Sequence, residues 1–139
     1  METEPFVSIV IPTTGEVKFI KGLVESVTEL DYPKEKFELI LVGDKPTALL
    51  EKNSKRAKDE GIDVTVEYKP VPAGQKRNMG TRIAKGSIIA FTDDDTILRE
   101  DWIRNGLKHL SENENYVGVG GPNYTPKEEL PFAKAVGRI

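Results

Sequence analysis

Short apolar runs alternate along this chain with longer segments whose apolar residues recur roughly every three to four positions. The runs are typical of buried strands, and the longer spacing is typical of one face of a helix. The predicted strands are Val7–Ile11, Phe37–Val42, Val64–Tyr68, Ser87–Phe91 and Tyr116–Val119, and the predicted helices are Lys18–Leu30, Thr47–Glu60, Gln75–Ala84 and Glu100–Leu110. Strands and helices therefore alternate from one end of the chain to the other.

The first two predicted strands are too continuously apolar for a sheet that has one face in water. Only Ser8 interrupts Val7–Ile11, and nothing polar interrupts Leu39–Val42. Strands of this kind are typical of parallel sheets that are covered by helices on both faces. Together with the alternation, they predict an α/β fold with a doubly wound, mostly parallel, Rossmann-like sheet. Ligands bind outside the carboxyl ends of the strands in such sheets, so the residues after each strand are the candidates for chemistry.

Composition narrows the class of protein. A chain of 139 residues with 37% apolar content is sufficient for one compact domain, predicted to span residues 1–139. The formal charge of −3 gives no broad attraction to nucleic acid or to an anionic membrane. The absence of cysteine excludes thiolate sites, and the single histidine, His109, is expected on the surface of a helix. An acidic N-terminus without a membrane span predicts a cytoplasmic location.

Asp93, Asp94 and Asp95 directly follow the fourth predicted strand. In an extended chain alternate side chains share a face, so Asp93 and Asp95 would point to one spot. Two carboxylates about 4 Å apart repel by roughly 4 kcal/mol at an effective dielectric constant near 20, and a bound divalent cation reverses that sign. Such oxygen ligands suit Mg²⁺ or Mn²⁺. The plain alternative is a solvated turn before a helix that begins near Arg99.

Lys76 and Arg77 stand where the third helix is predicted to begin. The helix dipole is already positive there, so cations are disfavoured unless an anion such as a phosphate binds. The alternative is a pair of exposed, unpaired basic residues. Neither a Gly-x-x-x-x-Gly-Lys-Ser/Thr loop nor a Gly-x-Gly-x-x-Gly after the first strand occurs, which argues against nucleoside triphosphatases and dinucleotide oxidoreductases.

Further polar residues follow the first and second strands. Each has an ordinary explanation: Thr14 could cap the first helix, Asp44 with Pro46 could form a turn, and Gly74 could open the third helix. Because these loops are expected at one edge of the sheet, together with the cationic helix start and the aspartates, they predict a pocket for a metal-bound diphosphate. The loops after the first two strands would hold the nucleoside.

The chain resembles the nucleotide-binding half of an inverting GT-A glycosyltransferase of family 2, over essentially its whole length. The most specific match is Arg77–Gly80, an arginine-asparagine-x-glycine segment, followed at the usual separation by the Asp-x-Asp motif at the end of Ala84–Asp95. The other matching segments are Val7–Thr13, Glu38–Asp44, Leu98–Ile103 and Gly118–Pro122.

The resemblance implies a role for each matching position. Asp95 would be the direct ligand of Mn²⁺ or Mg²⁺, and Asp93 would contact the metal or the ribose. The donor would be a UDP- or GDP-linked sugar. The residues implied to line it are Pro12, Thr13, Thr14, Glu16, Asp44, Lys76, Arg77, Asn78, Asp93 and Asp94. The sequence departs from the family pattern at Gly43, where an acidic residue is frequent, and at Gly15, where asparagine is common.

Family members continue further, into an acceptor site that supplies a carboxylate base. Here Pro131–Ile139 resembles the opening of a helix that the family continues. The chain is therefore expected to be truncated, with the general base absent from it. Glu128 and Glu129 lie too close to the Asp-x-Asp motif to be assigned as that base. The expected reaction is inverting, metal-dependent sugar transfer to an unknown acceptor.

Two other functions remain open at this point. One is a non-catalytic module that binds a nucleotide sugar and needs a further segment to act. The other is a phosphohydrolase of the haloacid dehalogenase type, because Phe91–Ile97 superficially matches its nucleophile strand, with Asp93 as the nucleophile. That motif normally opens its fold, whereas here three predicted strands precede it and no later acidic motif completes a metal site.

Overall fold

The computed structural model describes residues 4–16 and 18–124 of the chain. Contacts divide the chain into two compact units, Met1–Arg104 and Asn105–Ile139. The elements in chain order are β1 (Val7–Pro12), α1 (Ile20–Thr28), a 3-10 turn (Lys34–Lys36), β2 (Phe37–Gly43), α2 (Ala48–Asp59), β3 (Asp63–Tyr68), α3 (Ala73–Ile83), β4 (Ile88–Phe91) and α4 (Trp102–Ser111). The predictions for Glu128, Glu129 and Pro131–Ile139 fall outside the described residues.

The first unit contains a four-stranded sheet in the order β3-β2-β1-β4, and every pair of neighbouring strands is parallel. Crossovers between parallel strands are right-handed, so the steps from β1 to β2 to β3 place α1 and α2 on one face. The step from β3 back to the far side of β1 places α3 on the other face. The sheet is therefore doubly wound, which confirms the predicted α/β class, and its strand order reverses between β1 and β4.

The core lies on both faces of β1 and β2, which are buried at every residue. On one face Val10, Ile40 and Val42 pack against Met79 of α3 and Ile89 of β4. The residues that alternate with them point to the opposite face, and all are fully buried: Ile9, Ile11, Leu39 and Leu41. Burial on both faces explains why these strands read as continuous apolar runs.

The first helix begins at Ile20 rather than Lys18, and Thr14 does not cap it. Instead the Thr14 hydroxyl accepts a hydrogen bond from the Glu16 amide at 3.3 Å, within its own loop. The second helix does have a side-chain cap, because the Thr47 hydroxyl accepts from the Leu50 amide at 3.1 Å. The last helix begins at Trp102 rather than Glu100.

The predicted strand at Tyr116–Val119 is wrong, because this segment of the second unit is irregular. The Tyr116 amide closes a turn onto the Asn113 carbonyl at 3.0 Å, and Val117 is fully exposed. A strand needs a neighbour for its backbone groups and cover for one face, and a short apolar run provides neither. The expectation for His109 is confirmed: it is exposed on α4, with Nδ1 2.9 Å from a Glu112 carboxylate oxygen.

Across residues 4–16 and 18–124, no helix combines the length and the apolar character that a membrane span requires.

Candidate functional site at the carboxyl edge of the sheet

All four strands end at one edge of the sheet because they run parallel. A crevice forms in such sheets at the point where the strand order reverses, which here lies between the carboxyl ends of β1 and β4. Side chains from the first two turns of α3 bridge the loops around that point: Lys76 reaches the loops after β1 and β2, and Arg77 reaches the loop after β4. The structure thus brings the predicted loops together.

Lys76 is buried although it carries a charge, with 5% of the residue exposed. Its ammonium donates to the Thr13 carbonyl oxygen at 2.8 Å and to Oδ1 of Asp44. Thr13 is itself held to β2, since its amide donates to the Val42 carbonyl at 2.9 Å. A buried charge is tolerated only when it is paired and hydrogen-bonded, and these contacts meet that requirement. Lys76 therefore ties α3 to the ends of β1 and β2.

Arg77 forms an ion pair with Asp93, with 2.7 Å between Nη2 and Oδ1. The pair is open to solvent, with 36% of the arginine side chain and 61% of the aspartate side chain exposed. Exposed pairs typically contribute only about 0.2–1 kcal/mol to stability, so holding the fold together does not explain this one. Asn78 follows on α3 and is also exposed.

The three aspartates lie in a turn and not in an extended chain. The strand ends at Phe91, and the Thr96 amide donates to the Asp93 carbonyl at 3.3 Å. The expectation that alternation alone places Asp93 and Asp95 on one face is therefore wrong, because aspartate favours turns where a strand ends. Both side chains are exposed, and Asp94 is half-buried.

Within the described ranges, no group of three or more histidine, cysteine or acidic side chains is gathered to hold a metal ion. The metal roles of Asp93 and Asp95 stay predictions.

The loop after β1 is fixed by its own hydrogen bonds. Pro12 and Thr13 are buried, and the Thr13 hydroxyl accepts from the Gly15 amide at 3.0 Å. Gly15 has a φ of 88°, and its carbonyl accepts from the Thr47 hydroxyl at 2.6 Å. That backbone conformation favours glycine and tolerates asparagine better than other residues, which accounts for glycine where the family often has asparagine. Thr14 is left exposed in this loop.

In the loops after β1 and β2 the acidic residues are Glu16 and Asp44, because position 43 is a glycine. The Glu16 carboxylate is exposed and lies 3.8 Å from the Lys45 ammonium. A Cβ placed on Gly43 would stand 2.9 Å from a methyl of Leu50, so an acidic side chain there would require Leu50 to move. Asp44 is therefore the carboxylate that the end of β2 presents at this edge.

Two residues contribute to the site in ways that the sequence did not indicate. Gly80 lets α3 approach the sheet, because a Cβ there would stand 2.4 Å from Cγ1 of Val10. Thr47 holds the loop after β1 through Gly15, in addition to capping α2. The available signals were a glycine in a helix interior and a threonine at a helix start, both of which also have purely local explanations.

Comparison with known proteins gives a consistent result. The sequence model described as glycosyl transferase family 2 matches residues 8–136. The chain belongs to this family. It is 30% identical over 112 residues to the glycosyltransferase AglE of Haloferax volcanii, covering 78% of this chain and 36% of AglE. It is 26% identical over 135 residues to the poly(ribitol-phosphate) β-N-acetylglucosaminyltransferase TarS of Staphylococcus aureus, covering 89% of this chain and 24% of TarS.

Solved structures of two other glycosyltransferases share the fold. Residues 1–349 of TarS match with a TM-score of 0.68 at 20% identity, covering 87% of this chain and 40% of that one. The mannosyltransferase PcManGT from Pyrobaculum calidifontis, solved with GDP-Man and Mn²⁺, matches with a TM-score of 0.69 at 25% identity, covering 78% and 33%. The family recognised from the motifs and the GT-A type of fold are thus confirmed. The chain spans well under half the length of these relatives.

Proposed function

We propose that this chain is the donor-binding part of a family 2 glycosyltransferase, which binds a nucleoside diphosphate sugar at the carboxyl edge of the sheet. The observation that carries the proposal is the meeting of two polar pairs around the strand-order reversal, Lys76 with Asp44 and Arg77 with Asp93. The solved structures of TarS, with UDP and UDP-GlcNAc, and of PcManGT, with GDP-Man, support a UDP- or GDP-linked sugar as the donor. We keep the cytoplasmic location as a prediction.

In this proposal Asp93 and Asp95 would supply carboxylate oxygens to a divalent cation of the Mg²⁺ or Mn²⁺ type. Both residues offer exposed carboxylate oxygens, and Asp93 already attracts one cation, the guanidinium of Arg77. Mg²⁺ is commonly held by one or two carboxylates together with substrate phosphate oxygens. Such an ion would neutralise charge on the diphosphate as it departs. Arg77, which points at the same edge, would add a second positive charge there.

In the proposed site the nucleoside lies over the loops after β1 and β2. Pro12, Thr13 and Thr14 would contact it through the backbone and the exposed hydroxyl, and Asp44 and Glu16 would face the base. Asn78 and Asp94 flank the diphosphate side as further polar groups. This arrangement would place the sugar beyond Asp93, toward the segment that binds the acceptor in longer family members.

The proposed reaction is inverting transfer. The acceptor oxygen forms a bond to the anomeric carbon as the bond between that carbon and the diphosphate oxygen breaks, and the acceptor proton passes to a base. Glu128 and Glu129 are not proposed as that base. The acceptor stays unassigned, because nothing in the described ranges identifies it.

The test is calorimetric titration of UDP-glucose, GDP-mannose, UDP and GDP, each with and without Mn²⁺, into the wild type and into Asp95→Ala. We expect metal-dependent binding to the wild type and loss of its metal-dependent part in the variant. Asp59→Ala is the matched control, because Asp59 is an exposed aspartate at the end of α2. It should bind as the wild type does.

Absence of nucleotide binding by the wild type under every condition would refute the proposal. Binding that is unaffected by Asp95→Ala would refute the metal assignment alone. Binding in the absence of any sugar transfer to simple acceptors would favour the non-catalytic module over the transferase.

A further inference from the structure

Lys76 lies at the proposed donor site, yet its ammonium faces into the protein. An ammonium has three hydrogen-bond donors, and two of them are used by the Thr13 carbonyl and by Asp44. The side chain is 6% exposed, compared with 36% for the side chain of its neighbour Arg77. Of these two cations, Arg77 is the one that is open to a diphosphate. Lys76 is directed at the ends of β1 and β2.

The contact with Lys76 fixes the position of Asp44, whose side chain is 37% exposed. Lys76 holds Oδ1, and no described hydrogen bond takes Oδ2. The carboxylate is therefore fixed by one oxygen while the group as a whole reaches the surface of the site. The same ammonium fixes the carbonyl of Thr13, so it orients hydrogen-bond acceptors in the loops after two neighbouring strands.

An ionised carboxylate only accepts hydrogen bonds, and this limits the bases that it can recognise. Uracil and guanine present a ring N–H that can donate to it. Cytosine and adenine present a ring nitrogen lone pair at the corresponding edge and can donate only through the neighbouring amino group. A carboxylate held where it meets the ring N–H of uracil or guanine would therefore face that lone pair. A site built on a polar group discriminates strongly against a ligand that leaves that group unpaired.

We propose that Lys76 is a positioning residue for base selection, which holds Asp44 and the Thr13 carbonyl so that the donor site prefers uracil and guanine nucleotides to cytosine and adenine nucleotides. The inference rests on the proposed function and goes further, because it assigns Lys76 to the base and not to the diphosphate. It also makes Lys76 and Asp44 one functional unit, so their effects on binding should not add.

The test is calorimetry on the 139-residue chain with UDP, GDP, CDP and ADP, and with inorganic pyrophosphate, all with Mn²⁺. We compare Lys76→Met, Asp44→Asn and the double variant with the wild type. Each single variant should lower the preference for UDP over CDP by about tenfold, the size expected for a charge-assisted hydrogen bond. The double variant should lower it no further, and the affinity for pyrophosphate should stay within about twofold.

The matched control is Lys58→Met, which removes an exposed lysine from the last turn of α2 and should leave every affinity unchanged. If Lys76→Met does not fold, Lys76→Gln gives the same comparison, because it removes the charge and keeps a donor for the Thr13 carbonyl.

A Lys76 variant that weakens pyrophosphate and all four nucleotides equally would overturn the inference, since Lys76 would then act on the diphosphate. A wild type that binds nucleotides without base preference would also overturn it. A wild type that binds no nucleotide would instead remove the proposed function, and base selection with it.

Discussion

The amino and carboxyl edges of the sheet use polar side chains in opposite ways. At the amino edge Glu38, which is 1% exposed, accepts from the Ser8 hydroxyl at 2.6 Å and from the Lys85 amide at 2.7 Å. The Ser8 hydroxyl in turn accepts from the Gly86 amide at 2.8 Å. Within the described ranges no buried side-chain nitrogen or oxygen lacks a partner. The buried polar groups of this network bond to one another, so none of them is available to a ligand.

The carboxyl edge leaves its charges partly open. Asp93 is paired with Arg77, yet 61% of its side chain remains exposed. An exposed pair can exchange its partner for a ligand at small cost, whereas a buried network cannot be opened without leaving groups unsatisfied. The difference separates polar residues that hold strands together from polar residues that are available for binding.

Removing the centre of the amino-edge network should have the largest effect on stability. Glu38→Ala leaves the Ser8 hydroxyl and the Lys85 amide without their acceptor, and each such loss costs about 1–3 kcal/mol. We expect urea denaturation to show a loss of about 3 kcal/mol in the free energy of unfolding. Asp63→Ala, which removes an exposed carboxylate from the same edge, should cost less than about 1 kcal/mol. A mild effect of Glu38→Ala would contradict the contrast between the two edges.

The packing of α3 on the sheet offers a matched pair of glycines. A Cβ on Gly80 would stand 2.4 Å from Val10 Cγ1, whereas a Cβ on Gly74 would meet nothing within 4 Å. Gly80→Ala should therefore lower the free energy of unfolding by about 1–3 kcal/mol through overpacking. Gly74→Ala should be neutral or stabilising by up to about 1 kcal/mol, since alanine favours helices. Thermal unfolding of both variants measures the difference, and equal effects would mean that α3 does not approach β1 this closely.

The elements of the first unit could be predicted from the sequence, whereas close contacts such as that of Gly80 could not. The strands and helices of the first unit were predictable because burial on two faces leaves continuous apolar runs, as in Leu39–Val42. Tyr116–Val119 has a similar run but no cover, and apolar content alone does not reveal whether a neighbour exists. The placement of the candidate loops at one edge followed from the predicted parallel strands, whose carboxyl ends share that edge. The burial of Lys76 did not, because it depends on contacts with residues 32 and 63 positions away.

Arg77→Met tests the open edge, where we expect binding to change more than stability. The exposed pair with Asp93 should contribute less than about 1 kcal/mol to folding. Loss of a charged hydrogen bond to the donor should lower Mn²⁺-dependent UDP affinity by about tenfold. Arg82→Met, an exposed arginine in the last turn of the same helix, is the control and should change neither quantity. The reverse pattern, large destabilisation with intact binding, would place Arg77 among the structural residues.

The smallest effect should be a pH dependence at the amino edge. The Asp63 carboxylate, through a hydrogen bond at 2.7 Å and through its charge, raises the pKa of Lys85 above 10.5, with a smaller contribution from Glu38. The folded state then holds this proton more tightly than the unfolded state. The stabilisation is complete below a pH of about 10 and is lost as the pH rises through the folded pKa.

The measurement is urea denaturation of the wild type and of Asp63→Asn at several pH values between about 9 and 11. The two proteins differ only at position 63, so the difference between the two curves isolates the interaction with Lys85. That difference should shrink as the pH rises, and a difference that grew with pH would mean that Asp63 does not raise the pKa of Lys85.

The buried amino-edge network also sets where the aspartates stand. β1 and β4 pair along a short stretch, from Val7 beside Ile88 to Val10 beside Phe91. A slip of two residues would keep every side chain on its own face, so apolar burial alone opposes it weakly. It would nevertheless carry Asp93 about 6.6 Å along the strand, away from Arg77. The hydrogen bond from the Gly86 amide to the Ser8 hydroxyl fixes the register of β4 against β1. A contact at the amino end of β4 therefore determines where Asp93 lies beyond its carboxyl end.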